Sequence, residues 1–284
     1  MFNLITWLRD RPVINILLAG VFYLLVTLPH EQVGVFIAGI FKGMPRPKYD
    51  LIILCMASVI FLFYFIPLIR GIFKNQDRNL ILFFLTITVG LTILSINTIL
   101  IVNIELIHFI QYAALAILFF PLTLRYTDTI FWVTFLSALD EAYQYWFISP
   151  ERTNYYDFND VIINMLGVVF GLIMIRTSQR IHDLSINTSR SLFKNSMVIG
   201  SIAMVVITAI LFATNIMDLY PNPQDPQAPM LLIKKIESSF WSVIHPNITY
   251  HIVRPGEGLV ILVMLFIFYL PLWRKPISNE YDIA

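Results

Sequence analysis

Three stretches decide the fold: NIELIHFIQYAALAILFFPL at residues 103–122, FWVTFLSALDEAYQYWFI at 131–148 and DFNDVIINMLGVVFGLIMI at 157–175. Each is an apolar run long enough to cross a bilayer, which takes about 20 residues as a helix. Each also carries ionisable groups toward one end. A charge at the bilayer centre costs roughly 2.5–3.5 kcal/mol on insertion scales, so carboxylates in such runs mark a site by default.

The rest of the chain agrees. Of 284 residues, 58% are hydrophobic and 13% charged, and mean hydropathy is +0.75. A soluble domain is about 25% charged. We therefore expect an all-α, polytopic transmembrane bundle, a single integral membrane domain over 1–284. The net charge of +1 gives no electrostatic footprint for nucleic acid. One cysteine, Cys55, excludes an intrachain disulfide. The first apolar run lacks a small-residue cleavage site and reads as a retained span.

Eight spans are expected: Val13–Leu28, Leu51–Ile69, Leu80–Val102, Ile104–Leu124, Ile130–Ile148, Asp160–Ile175, Ser196–Ile216 and Leu259–Trp273. The third and fourth are so close that a tight hairpin follows. Most of the 19 basic residues fall in connections on one side if both termini are cytoplasmic, among them Arg9, Arg11, Arg70, Arg125 and Arg176. In that topology the ionisable ends of the fourth, fifth and sixth spans all lie at the outer face. Residues 30–49 read as an outer loop. So do 217–257, where four prolines precede an expected amphipathic helix at Met230–Ile244.

Residues three, four and seven apart share a helix face. Glu105, His108 and Tyr112 form one stripe. Ser137, Asp140, Glu141 and Gln144 form a second, although adjacent Asp140 and Glu141 point about 100° apart. Asp157, Asp160 and Asn164 form a third, continued by Gly167 and Gly171, a GxxxG pattern for close helix packing. Asp157 also suits an N-cap. Arg152 is the outer cation near Asp140, Glu141, Glu151, Asp157 and Asp160. Asn97 and Asn103 read as interhelical hydrogen-bonding groups, and His245 and His251 as loop residues.

The set Glu105–x–x–His108–Phe109–x–x–Tyr112, Asp140–Glu141–x–x–Gln144, Arg152 and Asp160–x–x–x–Asn164–x–x–Gly167–x–x–x–Gly171 resembles the VanZ-like membrane protein family over about 104–175. Members of that family are often smaller, with four or five spans. The family's namesake is associated with low-level resistance to the glycopeptide teicoplanin. The resemblance implies a bacterial cytoplasmic-membrane, multi-pass protein of the cell envelope, with no named reaction.

From the residues, the first expectation is a binding role. A polar pocket of Glu105, His108, Tyr112, Asp140, Glu141, Gln144, Arg152, Asp157, Asp160 and Asn164 would engage a lipid headgroup or a lipid-linked envelope precursor. Arg152 would pair with a phosphate or carboxylate. The alternatives are a hydrolase or transferase with His108 and Asp140 or Glu141 as catalytic groups, a metal variant of it using Glu105, His108 and Asp160, and a proton-coupled transporter. The sequence leaves the cofactor open.

Overall fold

The computed structural model describes residues 2–75, 77–100, 105–145, 156–177 and 248–273, with short pieces between 199 and 245. Its helices are α1 (Phe2–Arg9), α2 (Pro12–Thr27), α3 (His30–Ile40), α4 (Arg46–Phe73), α5 (Arg78–Thr98), α6 (Leu106–Thr123), α7 (Tyr126–Tyr143), α8 (Phe158–Arg176) and α9 (Pro255–Tyr269), the last extended by a 3-10 turn to Trp273. Two small strand pairs accompany them. β1 (Met217–Asp218) runs parallel to β2 (Met230–Leu231), and β3 (Ser242–His245) pairs antiparallel with β4 (Ile248–Tyr250).

α8 is the axis of the bundle. Every residue from Asn159 to Arg176 is buried, as expected of a helix that is apolar on all sides. α6 lies closest to it. A Cβ on Gly167 would overlap the carbonyl of Phe109, and one on Gly171 the carbonyl of Ala113. The missing side chains thus let the two backbones touch, and Phe109 and Phe170 pack beside the contact with ring centroids 5.3 Å apart. α7, α5 and α9 cover other faces of α8, while α1 and α2 pack on α6.

The α6–α7 turn is two residues long. Pro121 lacks the N–H that the helix would use, so α6 ends within a turn of it. Leu124 takes the left-handed conformation at φ 52°, its N–H still bonded to the Phe120 carbonyl at 2.8 Å. Thr123 and Thr129 hydroxyls meet at 2.6 Å across the turn. Such a short connection makes α6 and α7 antiparallel, and puts the start of α6 beside the end of α7.

Among the described residues, four helices are long and apolar enough to cross a membrane: Arg78–Thr98, Leu106–Thr123, Phe158–Arg176 and Pro255–Trp273. A fifth candidate is the α1–α2 pair if it counts as one span, although it bends by 109° at its break. The chain is thus helical and membrane-type, with fewer clear spans than the eight expected. α7 falls short because Asp128, Asp140 and Glu141 put three carboxylates into 18 residues. α4 contributes a shorter apolar stretch at Leu51–Ile60. Most of the expected span at Ser196–Ile216 lies outside the described residues.

Other expectations are corrected. Residues 30–40 form α3 rather than loop. The stretch expected as an amphipathic helix over 230–244 has strands at both ends, Met230–Leu231 and Ser242–His245; its middle lies outside the described residues. β-branched Val243 and Ile244 favour a strand there. α5 packs on α8, and the connection between the third and fourth apolar runs lies partly outside the described residues.

Candidate functional site

The polar ends of α6, α7 and α8 come together at one end of the bundle. α6 supplies His108 and Tyr112, both buried, from successive turns. The Tyr112 hydroxyl donates to Asp140 Oδ2 at 2.9 Å. His108 Nε2 lies 3.7 Å from Asp160 Oδ2 on α8. So the single stripe expected on α6 divides between two neighbours, because α6 sits in the groove between α7 and α8.

On α7, Asp140 is fully buried and Glu141 is 3% exposed. The sequence left open which of the two turns inward; both do. Gln144 explains how. Its side-chain amide reaches Asp140 Oδ1 at 3.3 Å and Glu141 Oε1 at 3.2 Å, bridging the pair from one turn on. Ser137, one turn earlier and fully buried, accepts from Asn164 Nδ2 at 2.8 Å. That bond ties α7 to α8 directly beneath the carboxylates. Asn164 Oδ1 is buried with no hydrogen-bond partner among the described residues.

Asp157 caps α8. Its Oδ1 accepts the Asn159 N–H at 3.0 Å, as a residue preceding a helix does. Burial pushes its carboxyl up to about 6, against the pull of the Asn159 and Asp160 backbone N–H groups. Glu105 sits half-buried just before α6. Arg152 and Glu151, expected beside these acids, lie outside the described residues, as does Asn103.

Three residues not singled out from the sequence complete the site. Tyr23 of α2 donates to the Leu136 carbonyl at 2.9 Å and stands in the field of Asp140 and Glu141. Tyr156 donates to the Ala138 carbonyl and faces the same two carboxylates. Asn159 is a clamp: Nδ2 donates to the carbonyls of Ile99 at 2.8 Å and His251 at 2.9 Å, and Oδ1 accepts from Val253 N–H at 2.9 Å. Only its place in the first turn of an apolar helix hinted at a role. The tyrosines carried no signal among 13 in the chain.

Elsewhere the expectations shift. Asn97 donates to the Ile93 carbonyl of its own helix at 2.7 Å, so it does not bridge helices there. His251 is half-buried and contacts Glu257 at 3.1 Å. Among the described residues no three His, Cys, Asp or Glu side chains are grouped so as to hold a metal ion.

What the cluster offers chemically is a set of carboxylate, amide, phenol and imidazole groups gathered in a low-dielectric place. Such groups recognise polar functions by hydrogen bonds that gain strength away from water. Residues 51–179 match the family model described as VanZ/LLP1. No curated protein and no solved structure matches the chain.

Proposed function

On the premise that residues 51–179 are a VanZ-type segment of a membrane protein, we propose that the α6–α7–α8 polar end binds the headgroup of a cell-envelope lipid or lipid-linked precursor. The membrane is the bacterial cytoplasmic membrane and the polar end faces outward. The observation that carries this reading is the convergence of three contacts from three helices: Tyr112–Asp140, His108–Asp160 and Ser137–Asn164. A bundle held together only by apolar packing has no need of them. The unspent Asn164 Oδ1 supplies a buried acceptor for an amide or hydroxyl of the ligand.

Native mass spectrometry of the full-length protein, extracted in mild detergent, tests it. The expected result is retention of a lipid class enriched over its share of the source membrane. Asp160→Asn and His108→Gln should each reduce that retention at least tenfold. Lipids retained only in proportion to membrane composition, or unchanged in both variants, overturn it.

The His108–Asp160 pair favours a second reading, a hydrolase or transferase on the same class of lipid. An imidazole beside a carboxylate is the usual arrangement of a general base, and Asp140 or Glu141 would supply the acid. Headgroup release from a lipid-linked precursor by the wild type, and none by His108→Gln that still retains lipid, would select this reading over binding alone.

A further inference from the structure

α5 packs on α8 and stands apart from α6, and the gap between them is an elongated cavity of about 390 Å³, within the range of small-ligand sites. Leu54 of α4, Ile93 and Ile96 of α5, and Leu106, Ile110 and Ala114 of α6 line it, with Phe170 and Met174 of α8 closing it from behind. Its polar exceptions are Ser58 and Thr92. The Thr92 hydroxyl is already spent on the Thr88 carbonyl at 2.8 Å. A polar ligand therefore finds almost nothing to bond; a hydrocarbon finds continuous contact.

Its position is as informative as its lining. Along α6 the cavity runs from Leu106 to Ile117, a rise of about 16 Å at 1.5 Å per residue. That is half of a hydrocarbon core about 30 Å thick, the depth of one leaflet. It starts in the same helical turn as Glu105 and His108 and ends near mid-membrane. Its α4 and α5 rims carry outward-facing Leu54, Leu62 and Ile93, each more than half exposed, so a chain can enter sideways from the bilayer.

We propose that this groove seats one hydrocarbon chain of a membrane lipid, lying along α6 with its polar end at the His108–Asp160 level. That the chain belongs to the ligand of the polar end rests on the function proposed above. The groove itself rests on shape and chemistry alone. The occupant is one leaflet's lipid, since the length, apolar lining and lateral opening coincide with a single tail.

Photocrosslinking tests it. Full-length protein is reconstituted in vesicles doped with phosphatidylglycerol carrying a diazirine on one acyl chain, irradiated, and mapped by peptide mass spectrometry. Adducts on the groove residues of α5 and α6 should exceed by at least fivefold those on the lipid-facing side of α9, where Val260, Val263, Met264 and Ile267 are exposed. Ala114→Trp, which fills the groove, should lower groove adducts at least fivefold and leave α9 unchanged. Ile93→Trp, on an exposed rim position and tolerant of bulk, should do the same if the first variant fails to fold. Equal labelling of groove and α9, or groove labelling indifferent to both variants, overturns the proposal. Groove adducts that respond as expected in a protein that selects no headgroup retain the tail site and remove the headgroup reading. The two can therefore fail separately.

Discussion

Gly171 and Gly90 make a pair of controls within one chain. A methyl at Gly171 meets the Ala113 carbonyl, whereas one at Gly90 meets nothing within 4 Å. Backbone cannot turn aside as a flexible side chain can. Gly171→Ala should therefore destabilise the bundle by about 1–3 kcal/mol, the range for overpacking. Gly90→Ala should be neutral or slightly stabilising, because alanine is the better helix former. Thermal unfolding in detergent reads both, and equal effects would contradict the close approach. Asp157 gives a pH signature. Its carboxyl is pushed up to about 6 in the folded protein from near 3.9 in an unfolded chain, so folding favours the protonated form. Its contribution is fully present below about pH 4 and is lost as pH rises through 6. Wild type should lose up to about 2 kcal/mol more than Asp157→Asn between pH 4 and 6.5. Parallel stability curves for the two proteins would refute this.

At the level of elements, Asn159 shows how much one side chain can join. It holds the Ile99 carbonyl just beyond α5, the strand exit at His251–Val253 and the first turn of α8. Asn159→Ala leaves two carbonyls and one N–H to find other partners. The expected outcome is faster hydrogen exchange at Val253 and loosened docking of α9, with α6–α7 unaffected. Exchange at Val253 identical to wild type would show that the clamp is dispensable. The same residue marks the limit of what was legible. Helical spacing made the α6 and α8 stripes readable, since periodicity is carried by the residues themselves. It could not show that His108 and Tyr112 serve different neighbours, because that depends on where α6 sits between α7 and α8. α5, α6 and α8 begin and end within a few residues of expectation, their apolar runs being uninterrupted. α7 begins at Tyr126, four residues before the expected start at Ile130, and its first turn carries Asp128. In the fold it is buried and lies 3.6 Å from Arg125. At the C-terminal end of the stretch expected as a helix, Val243 lies in the β3–β4 hairpin instead, since short apolar runs suit both periods.

For the whole molecule, the basic-residue bias makes a claim about sidedness that the bundle's geometry leaves independent. With Cys55 replaced by serine, single cysteines at Asn154 and Gln227 should react with a membrane-impermeant maleimide in intact cells. A cysteine at Asn187 should react only after permeabilisation. The inverse pattern would turn the polar end toward the cytoplasm and end the outer-face reading. At the opposite end of α8, Arg176 is buried and bonds Asp77 at 2.8 Å, while Asn75 donates to the Arg176 carbonyl at 3.1 Å. The axial helix is thus fastened by charge at one end and by Asp157, Asn159 and Asn164 at the other.

α8 itself has neighbours on every side and touches no lipid along its length. In a scan of every substitution at every position, α5 and α9 should show tolerance that rises and falls every three to four residues, as bilayer-facing and packed positions alternate. α8 should show no such rhythm. Charged or enlarged residues would be rejected evenly from Asn159 to Arg176, so the helix that most resembles a free membrane anchor by composition would be the least replaceable by one.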